Sequence, residues 1–340
     1  NEDKIKNDYP GGYVKDPQVG VHDWVCSFDL NSLYPNLIIQ YNMSPETIVE
    51  DDRGYGASVH SCLAGEVVNK GEYAMAANGV YFRKDKRGIL PRIIAGLYDE
   101  RVLIKNKMLE AKKLLEKGGK TYEVERDIAR YENQQMAAKI LLNSLYGALG
   151  NKYFRYFDIR IAEGITMSGQ LSVLKAEKVL NTYLNKVLKT DKDYVIAIDT
   201  DSVYLDLGDL VDKTYSGKTA EETVNYLDKV CSKAIEPVIE KAFDDLGEQM
   251  GVYENRMVMG REVIADRGIW TAKKRYILNV HDNEGVRYAE PKLKIMGIEA
   301  VKSSTPEICR ERFKEAFKII MSGSNKDIQD YIANFREEFN

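Results

Sequence analysis

Residues 194–207 read YVIAIDTDSVYLDL, an apolar, β-branched run interrupted by two aspartates, Asp199 and Asp201. Val195, Ile196 and Ile198 before the interruption, and Val203 and Leu205 after it, describe buried strand on both sides of DTDS. A carboxylate among such residues is costly unless it is paired, hydrogen-bonded or bound to a cation. Taken alone, the stretch admits two readings. One is a tight hairpin turn, where Asp and Ser are ordinary residues. The other is a cation site, because residues two apart on a strand share a face and both aspartates would then look the same way.

The totals narrow the classes. The chain has 340 residues, 38.7 kDa, 44% hydrophobic and 30% charged residues, enough for a substantial core and two or three subdomains. No apolar run is long enough to cross a bilayer and no signal peptide opens the chain, so a cytoplasmic protein without membrane partners is expected. The chain starts at Asn1 and stops at Asn340 inside a helical pattern, and is therefore read as a fragment. Cys26, Cys62, Cys231 and Cys309 lack metal or redox spacing, and His22, His60 and His281 are isolated. Zinc chemistry and a Cys–His nucleophile are thereby disfavoured; a metal here would be a hard cation such as Mg²⁺ on oxygen ligands. The net charge of −4 hides a contrast: residues 83–120 hold twelve Lys/Arg against five Asp/Glu, a local +7 that leaves −11 elsewhere. Such a segment is either a polyanion site or a solvated helix face.

The first ninety residues read as strands and loops, with WVCSFDL (24–30) a strand and YPNLIIQYN (34–42) a short helix behind a turn. Helical spacing begins at Pro91 and runs to the stop at Gly118-Gly119; a second helix covers 122–149. Joined by GGK, the two form an antiparallel hairpin. A further helix over 164–187 leads into the DTDS strands, and an acidic amphipathic helix lies near 221–250. Strand patterns return at GIWTAKKRYILNVHD (268–282) and RYAEPKLKIMGIE (287–299), and SSTPEICRERFKEAFKIIMSG (303–323) starts a helical tail. The fold class expected is α+β, an antiparallel sheet with packed helices and an inserted helical hairpin.

CSFDLNSLYP (26–35) places a third aspartate, Asp29, where an apolar strand turns into a helix. The N–H groups of Asn31 to Tyr34 would then form a phosphate-binding helix N-terminus. A carboxylate beside phosphate is repulsive unless a divalent cation lies between them. If the DTDS hairpin lies beside this strand, three carboxylates can hold two Mg²⁺ ions about 4 Å apart and support an in-line phosphoryl displacement. The hairpin supplies cations. Arg101 and Lys105 are four residues apart on one helix face; Lys139, Asn143, Tyr146 and Gly147 share a face of the next. Arg101 and Lys139 lie roughly 26 and 30 Å from the turn, and so face each other at one level where a triphosphate could be gripped. Singly, each is more often a solvated helix residue.

DLNSLYP (29–35), KILLNSLYGALGN (139–151) and DTDS (199–202), in that order, resemble motifs A, B and C of the B-family DNA polymerases, most closely those of T-even bacteriophages. YPGG at 9–12, SPETI at 44–48, TAKKRY at 271–276 and EPKLKIMG at 290–297 extend the resemblance over nearly the whole chain. It implies a palm over 1–90 and 151–302, a fingers hairpin over 91–150 and the beginning of a thumb over 303–340. Template-directed transfer of a nucleotide from dNTP to a primer 3′-hydroxyl is the implied reaction, with two Mg²⁺ ions that Mn²⁺ can replace. Primer–template DNA and dNTPs are the implied partners. The amino-terminal and 3′→5′ exonuclease domains are expected before this chain, most of the thumb beyond Asn340, and a sliding clamp and other replisome proteins through those regions.

The resemblance also implies roles. Asp29 and Asp201 would bind metal, with Asp199 beside them and the Leu30 carbonyl completing the site. The backbone of Ser32 and Leu33 would hold the triphosphate, and Tyr34 would sit under the deoxyribose and exclude a 2′-hydroxyl; a core tyrosine is the plain alternative. Arg101, Lys105 and Lys139 would bind the β- and γ-phosphates, Lys139 as a general acid toward pyrophosphate. Asn143, Tyr146 and Gly147 would pack near the nascent base pair. Lys273, Lys274, Arg275 and Tyr276 would follow the primer strand through its phosphates, and Gly11 and Gly12 would lie near the template. Glu262 resembles a further carboxylate near the metals, a surface ion pair being the alternative. Two positions depart from the pattern: Ala197 and Ile198 stand where many members have Tyr-Gly, and Gly260 where an Asp is usual. Two other readings stay open, a polymerase-like DNA-binding module without catalysis and a two-metal nuclease; the latter needs the carboxylates but not the hairpin cations.

Overall fold

The computed structural model describes residues 9–69, 71–119, 121–323 and 325–339. Asn1 and Asn340, on which the fragment reading rests, and Lys120, the end of the basic segment, lie outside them. The chain opens with β1 (Gly20–Leu30) and α1 (Leu33–Gln40). A small sheet follows, built from β2 (Ile48–Arg53), β3 (Ala74–Met75) and β4 (Val80–Phe82), with α2 (Val59–Ala64) between its strands. Next come the long helices α3 (Ile89–Glu116), α4 (Tyr122–Leu149) and α5 (Ile159–Leu188). β5 (Val195–Asp199) and β6 (Ser202–Asp206) precede α6 (Gly208–Thr214), α7 (Ala220–Val230) and α8 (Glu236–Met250). The chain closes with β7 (Met259–Ala272), β8 (Arg275–Asn283), β9 (Val286–Met296), α9 (Glu307–Ser322) and α10 (Asn325–Phe339).

Six strands pair antiparallel in the order β5-β6-β1-β7-β8-β9, so the expected α+β class is the class found. The alternation of β1 sorts its two faces. Cys26, Phe28 and Leu30 are buried in the main core with side chains of α1, α5 and α8. Val25 turns the other way, into a second cluster with Val263, Ala265, Trp270, Tyr204 and Tyr276. Ser27 and Asp29 share the parity of Val25, and therefore lie on the sheet face opposite the helices.

The helical hairpin forms as read. Gly88 caps α3, Gly118 (φ +90) ends it, and the Thr121 hydroxyl accepts from Val124 N–H at 3.3 Å to start α4. Lys112 lies 3.7 Å from Glu132, which fixes the helices as antiparallel. Apolar residues on their outer faces, Leu103, Leu114, Met136 and Ile140 among them, are exposed, while Ile94 and Leu142 anchor the base of the hairpin in the core.

Three local readings change. The stretch at 268–282 is two strands, because the chain reverses at Lys273-Lys274 with Lys274 at φ +61. The acidic helix near 221–250 is α7 and α8 joined by one π-helical turn, Cys231–Ile235, just before Pro237. And Asp199 and Asp201 do not share a strand face: Asp199 ends β5 while Asp201 lies in the turn, so they flank a reversal.

Candidate active site

The reversal between β5 and β6 is tight. Asp201 N–H donates to the Asp199 carbonyl at 2.7 Å around Thr200, whose φ is +60, a sparsely populated three-residue turn. β1 pairs with β6 so that Asp29 faces Ser202. The Ser202 hydroxyl donates to Asp29 Oδ1 at 2.7 Å, and Leu30 N–H donates to the Asp201 carbonyl at 2.9 Å. Two aspartates 172 positions apart are thus fastened side by side by sheet register.

Their electrostatics follow from that closeness. Burial, then the Asp201 charge, lifts the Asp29 carboxyl to about 7, with Glu262 adding to the rise and the Ser202 hydrogen bond and Lys105 opposing it. Burial also raises Asp201, against its own backbone hydrogen bond and Lys139, while Asp199 and Glu262 push it further. Asp199 itself pairs with Lys274 Nζ at 3.1 Å. Among the described residues no three His, Cys, Asp or Glu side chains gather closely enough to enclose a cation. The sheet brings Asp29 and Asp201 together as a pair, with Asp199 close enough to raise Asp201 while held by Lys274. What exists is a repelling oxygen pair on an open face, a donor set that suits a hard divalent cation.

Above the pair, one cavity of about 310 Å³ collects most of the sequence-selected residues. One wall, from β1, the start of α1 and the β5–β6 turn, is Asp29, Asn31, Ser32, Leu33, Tyr34, Thr200 and Asp201. The opposite wall is Arg101 and Lys105 of α3 with Lys139, Asn143 and Tyr146 of α4. Ser32 caps α1 in the left-handed region (φ +46), and its hydroxyl accepts from Arg101 Nη1 at 2.7 Å. Asn31 N–H is already used, donating to the Val258 carbonyl at 3.0 Å, and so is not free for the phosphate role expected of it. Arg101 is 9% exposed, and its buried Nε has no hydrogen-bond partner among the described residues. A buried guanidinium with an unused donor fits an anion. The Tyr34 and Tyr146 rings lie 4.4 Å apart, and burial, then Asp201, pushes the Tyr34 phenol up to about 12. A second cavity of about 290 Å³ shares Asp29, Asn31, Arg101 and Lys105 with the first and continues toward Glu262 and Glu284.

Other selected residues lie outside the first cavity. Gly147 faces open space. Lys273 pairs with Asp16 at 3.0 Å, Arg275 with Glu299, and the Tyr276 hydroxyl meets that of Tyr204 at 2.7 Å. Glu262 is held by Lys294 at 3.0 Å and by the Ser27 hydroxyl at 3.3 Å. Gly11 accepts from Gln170 Nε2 at 2.6 Å, and Gly12 packs on Thr200 and Tyr34. The sequence reading missed Thr200, a wall residue inside DTDS itself, and Glu284, which ion-pairs with Lys105 from the β8–β9 tip. Nothing local marks Glu284; the hairpin alone brings it in.

The sheet, the paired carboxylates and the cation-bearing helices are parts that recur together in enzymes that polymerise nucleotides, and sequence comparison agrees: DNA polymerase family B matches residues 1–246, and the chain belongs to that family. Among its relatives are the DNA-directed DNA polymerases of Enterobacteria phage T4 (35% identical, covering 98% of this chain and 43% of the relative) and Escherichia phage RB69 (36%, 91% and 40%). DNA polymerase 1 of Pyrococcus abyssi is 27% identical over 96% of this chain and 34% of its own length. The chain therefore spans less than half the length of these relatives. Among the described residues no helix is long and apolar enough to cross a membrane.

Proposed function

We propose that this chain carries the nucleotidyl-transfer site of a DNA-directed DNA polymerase: a primer 3′-hydroxyl attacks the α-phosphate of a dNTP and pyrophosphate leaves. One observation supports this reading above the others. Asp29, Asp201 and the Ser32–Tyr34 corner share a single cavity with Arg101, Lys105 and Lys139, residues from four separate stretches of sequence. A nuclease would use the carboxylates and has no need of that cation wall.

In this reading the six-stranded sheet is the palm, α3 and α4 are the fingers, and α9 and α10 begin the thumb. Asp29 and Asp201, with the Leu30 carbonyl and with Asp199 beside them, would hold divalent cations, Mg²⁺ or Mn²⁺, which activate the hydroxyl and take charge from the leaving group. The backbone of Ser32 and Leu33 lies at the N-terminus of α1 and receives the triphosphate. Arg101 and Lys105 neutralise its outer oxygens. Lys139 stands beside Asp201 and delivers a proton to departing pyrophosphate. Tyr34, packed against Tyr146, floors the sugar and excludes a 2′-hydroxyl. Asn143, Tyr146 and Gly147 border the new base pair. Lys273, Lys274, Arg275 and Tyr276 follow the primer, and Gly11 and Gly12 the template.

Primer extension tests the proposal. The chain should extend a primer with dNTPs and Mg²⁺, and Asp201→Asn should lower the rate by at least about 10³-fold while DNA binding persists, because an amide cannot supply the charge that a divalent ion needs. DNA binding without extension would favour the inactive-module reading. Degradation without dNTPs would favour a nuclease, and undiminished extension by Asp201→Asn would remove the assigned site.

A further inference from the structure

The segment ahead of β1 folds back along the edge of β5, held there by one β-bridge and neighbouring backbone hydrogen bonds. Val14 pairs antiparallel with Asp199, Lys15 N–H donates to the Ile198 carbonyl at 3.1 Å, and Gln18 N–H donates to that of Ile196 at 2.9 Å. Thr200 N–H, at the crest of the strained turn, donates to the Tyr13 carbonyl at 2.9 Å. Lys15 Nζ rivets this strap to Glu177 of α5 at 2.6 Å and to the Val195 carbonyl at 2.7 Å. At its other end the Tyr9 phenol fills the space over Gly150, next to Tyr146. The strap thus touches α4, α5, α1 and the β5–β6 turn.

Gly12 lies at the centre of these contacts. A β-carbon there would stand 2.7 Å from Thr200 Cγ2, 3.0 Å from Thr200 Oγ1 and 3.0 Å from the Tyr34 hydroxyl oxygen. A β-carbon on neighbouring Gly11 would meet nothing within 4 Å. Among the described residues Gly12 is not one of the glycines with positive φ, so its missing side chain serves space rather than backbone conformation. Tyr34 is confined on its other sides. Its ring edge would lie 3.3 Å from a β-carbon on Gly169 of α5, and its ring packs against that of Tyr146, tilted by 36° with centroids 4.4 Å apart. Gly12 itself is exposed, but with Thr200, Gly169 and Tyr146 against it the Tyr34 ring has little room to absorb a displacement of a few tenths of an ångström.

We propose that Gly12 is a specificity-determining position of the nucleotide site: the space it leaves sets where the Tyr34 hydroxyl stands relative to the catalytic turn, and so how strictly ribose is refused. The inference rests on the reading of Tyr34 as the residue beneath the sugar. A methyl group at position 12 pushes the phenol off its seat, toward Tyr146, and opens the sugar floor.

The test is the ratio of kcat/KM for a dNTP to that for the matching rNTP, measured in primer extension with the 340-residue chain. Gly12→Ala should lower that ratio about tenfold. Gly11→Ala should keep the wild-type ratio whatever it does to DNA affinity, because its methyl meets open space. Adding Thr200→Ser to Gly12→Ala deletes the methyl at 2.7 Å and should restore part of the ratio. Circular dichroism checks folding; should Gly12→Ala unfold, the double variant carries the comparison with wild type. An unchanged ratio in folded Gly12→Ala, or an equal fall in Gly11→Ala, overturns the proposal. Tyr34→Ala separates the two levels. If it leaves discrimination intact, the sugar-floor reading fails and Gly12 falls with it. If Tyr34→Ala relaxes discrimination and Gly12→Ala does not, only the role of Gly12 is lost.

Discussion

Asp29 is the residue on which charge and burial conflict most openly. Its carboxyl, held to about 7 by burial and by Asp201, binds its proton more tightly in the folded chain than in the unfolded one, whose value is near 3.8. Well below pH 3.8 the group is neutral in both states and contributes nothing. As pH rises toward 7 the unfolded chain ionises first, and the fold loses stability through that window. In chelator, wild-type protein should therefore lose Tm between about pH 4 and 7, and Asp29→Asn should lose less. By pH 8 the variant should melt at least about 3 °C higher; calorimetry giving equal Tm values there would contradict the assignment. Lys139 belongs to the same scale. If it protonates pyrophosphate, Lys139→Ala should slow single-turnover incorporation roughly 10²-fold with little change in primer–template affinity, and wild-type kinetics would exclude the role. Both residues were legible in the sequence, Asp29 because a charge interrupts an apolar strand and Lys139 because it shares a helix face with Asn143 and Tyr146. The partner of Asp199 was not legible, since Lys274 reaches it only across a turn that the sequence hides.

At the scale of elements, the firmest joint outside the site ties β7, β8 and α7. Arg261 is nearly buried between Asp282, which is 2% exposed, and Asp228 at 2.6 Å; Arg287 Nε adds a contact to Asp282 at 3.1 Å. Asp282→Asn leaves the Arg261 charge buried without its main counter-ion and should cost about 3 kcal/mol or more, a fall in Tm of about 4 °C for a chain of this length. Asp228→Asn, on the solvent side, should cost about 1 kcal/mol or less. Similar losses from the two would show that burial does not set the energetics. The helices α3, α4 and α5 were readable because their apolar period persists for 28 residues or more. The turn at Lys273-Lys274 was not, because the strands on each side alternate alike and no Gly, Asn or Pro marks the reversal.

Across the whole molecule, the helical hairpin is rooted at its base in the core, and above that base ion pairs tie it to the body. Lys105 meets Glu284, Lys292 meets Glu116 at 2.6 Å, and Arg256 approaches Asp99 at 3.6 Å. Partly exposed pairs of this kind are individually weak and screened by salt, so the hairpin should open more readily than the sheet. Glu284→Gln should raise amide exchange in residues 101–116 about tenfold while β1 and β6 keep their protection. Moving from low to high salt should do the same to wild type. Uniform exchange across hairpin and sheet would mean that the two open as one unit. The basic segment 83–120 foreshadowed charge complementarity, but gave no indication that Lys105 both lines the cavity and pairs with Glu284.

The linear order of residues by itself determined the α+β class, the long helices, and which charges were too costly to be casual, because these rest on local period and on neighbours within a few positions. It could not determine that Asp29 meets Ser202, that Lys105 meets Glu284, or that Gly12 lies against Tyr34. Those contacts join residues separated by tens to hundreds of positions. Only strand register and close packing choose among such pairings, and neither leaves a mark on the sequence around either partner.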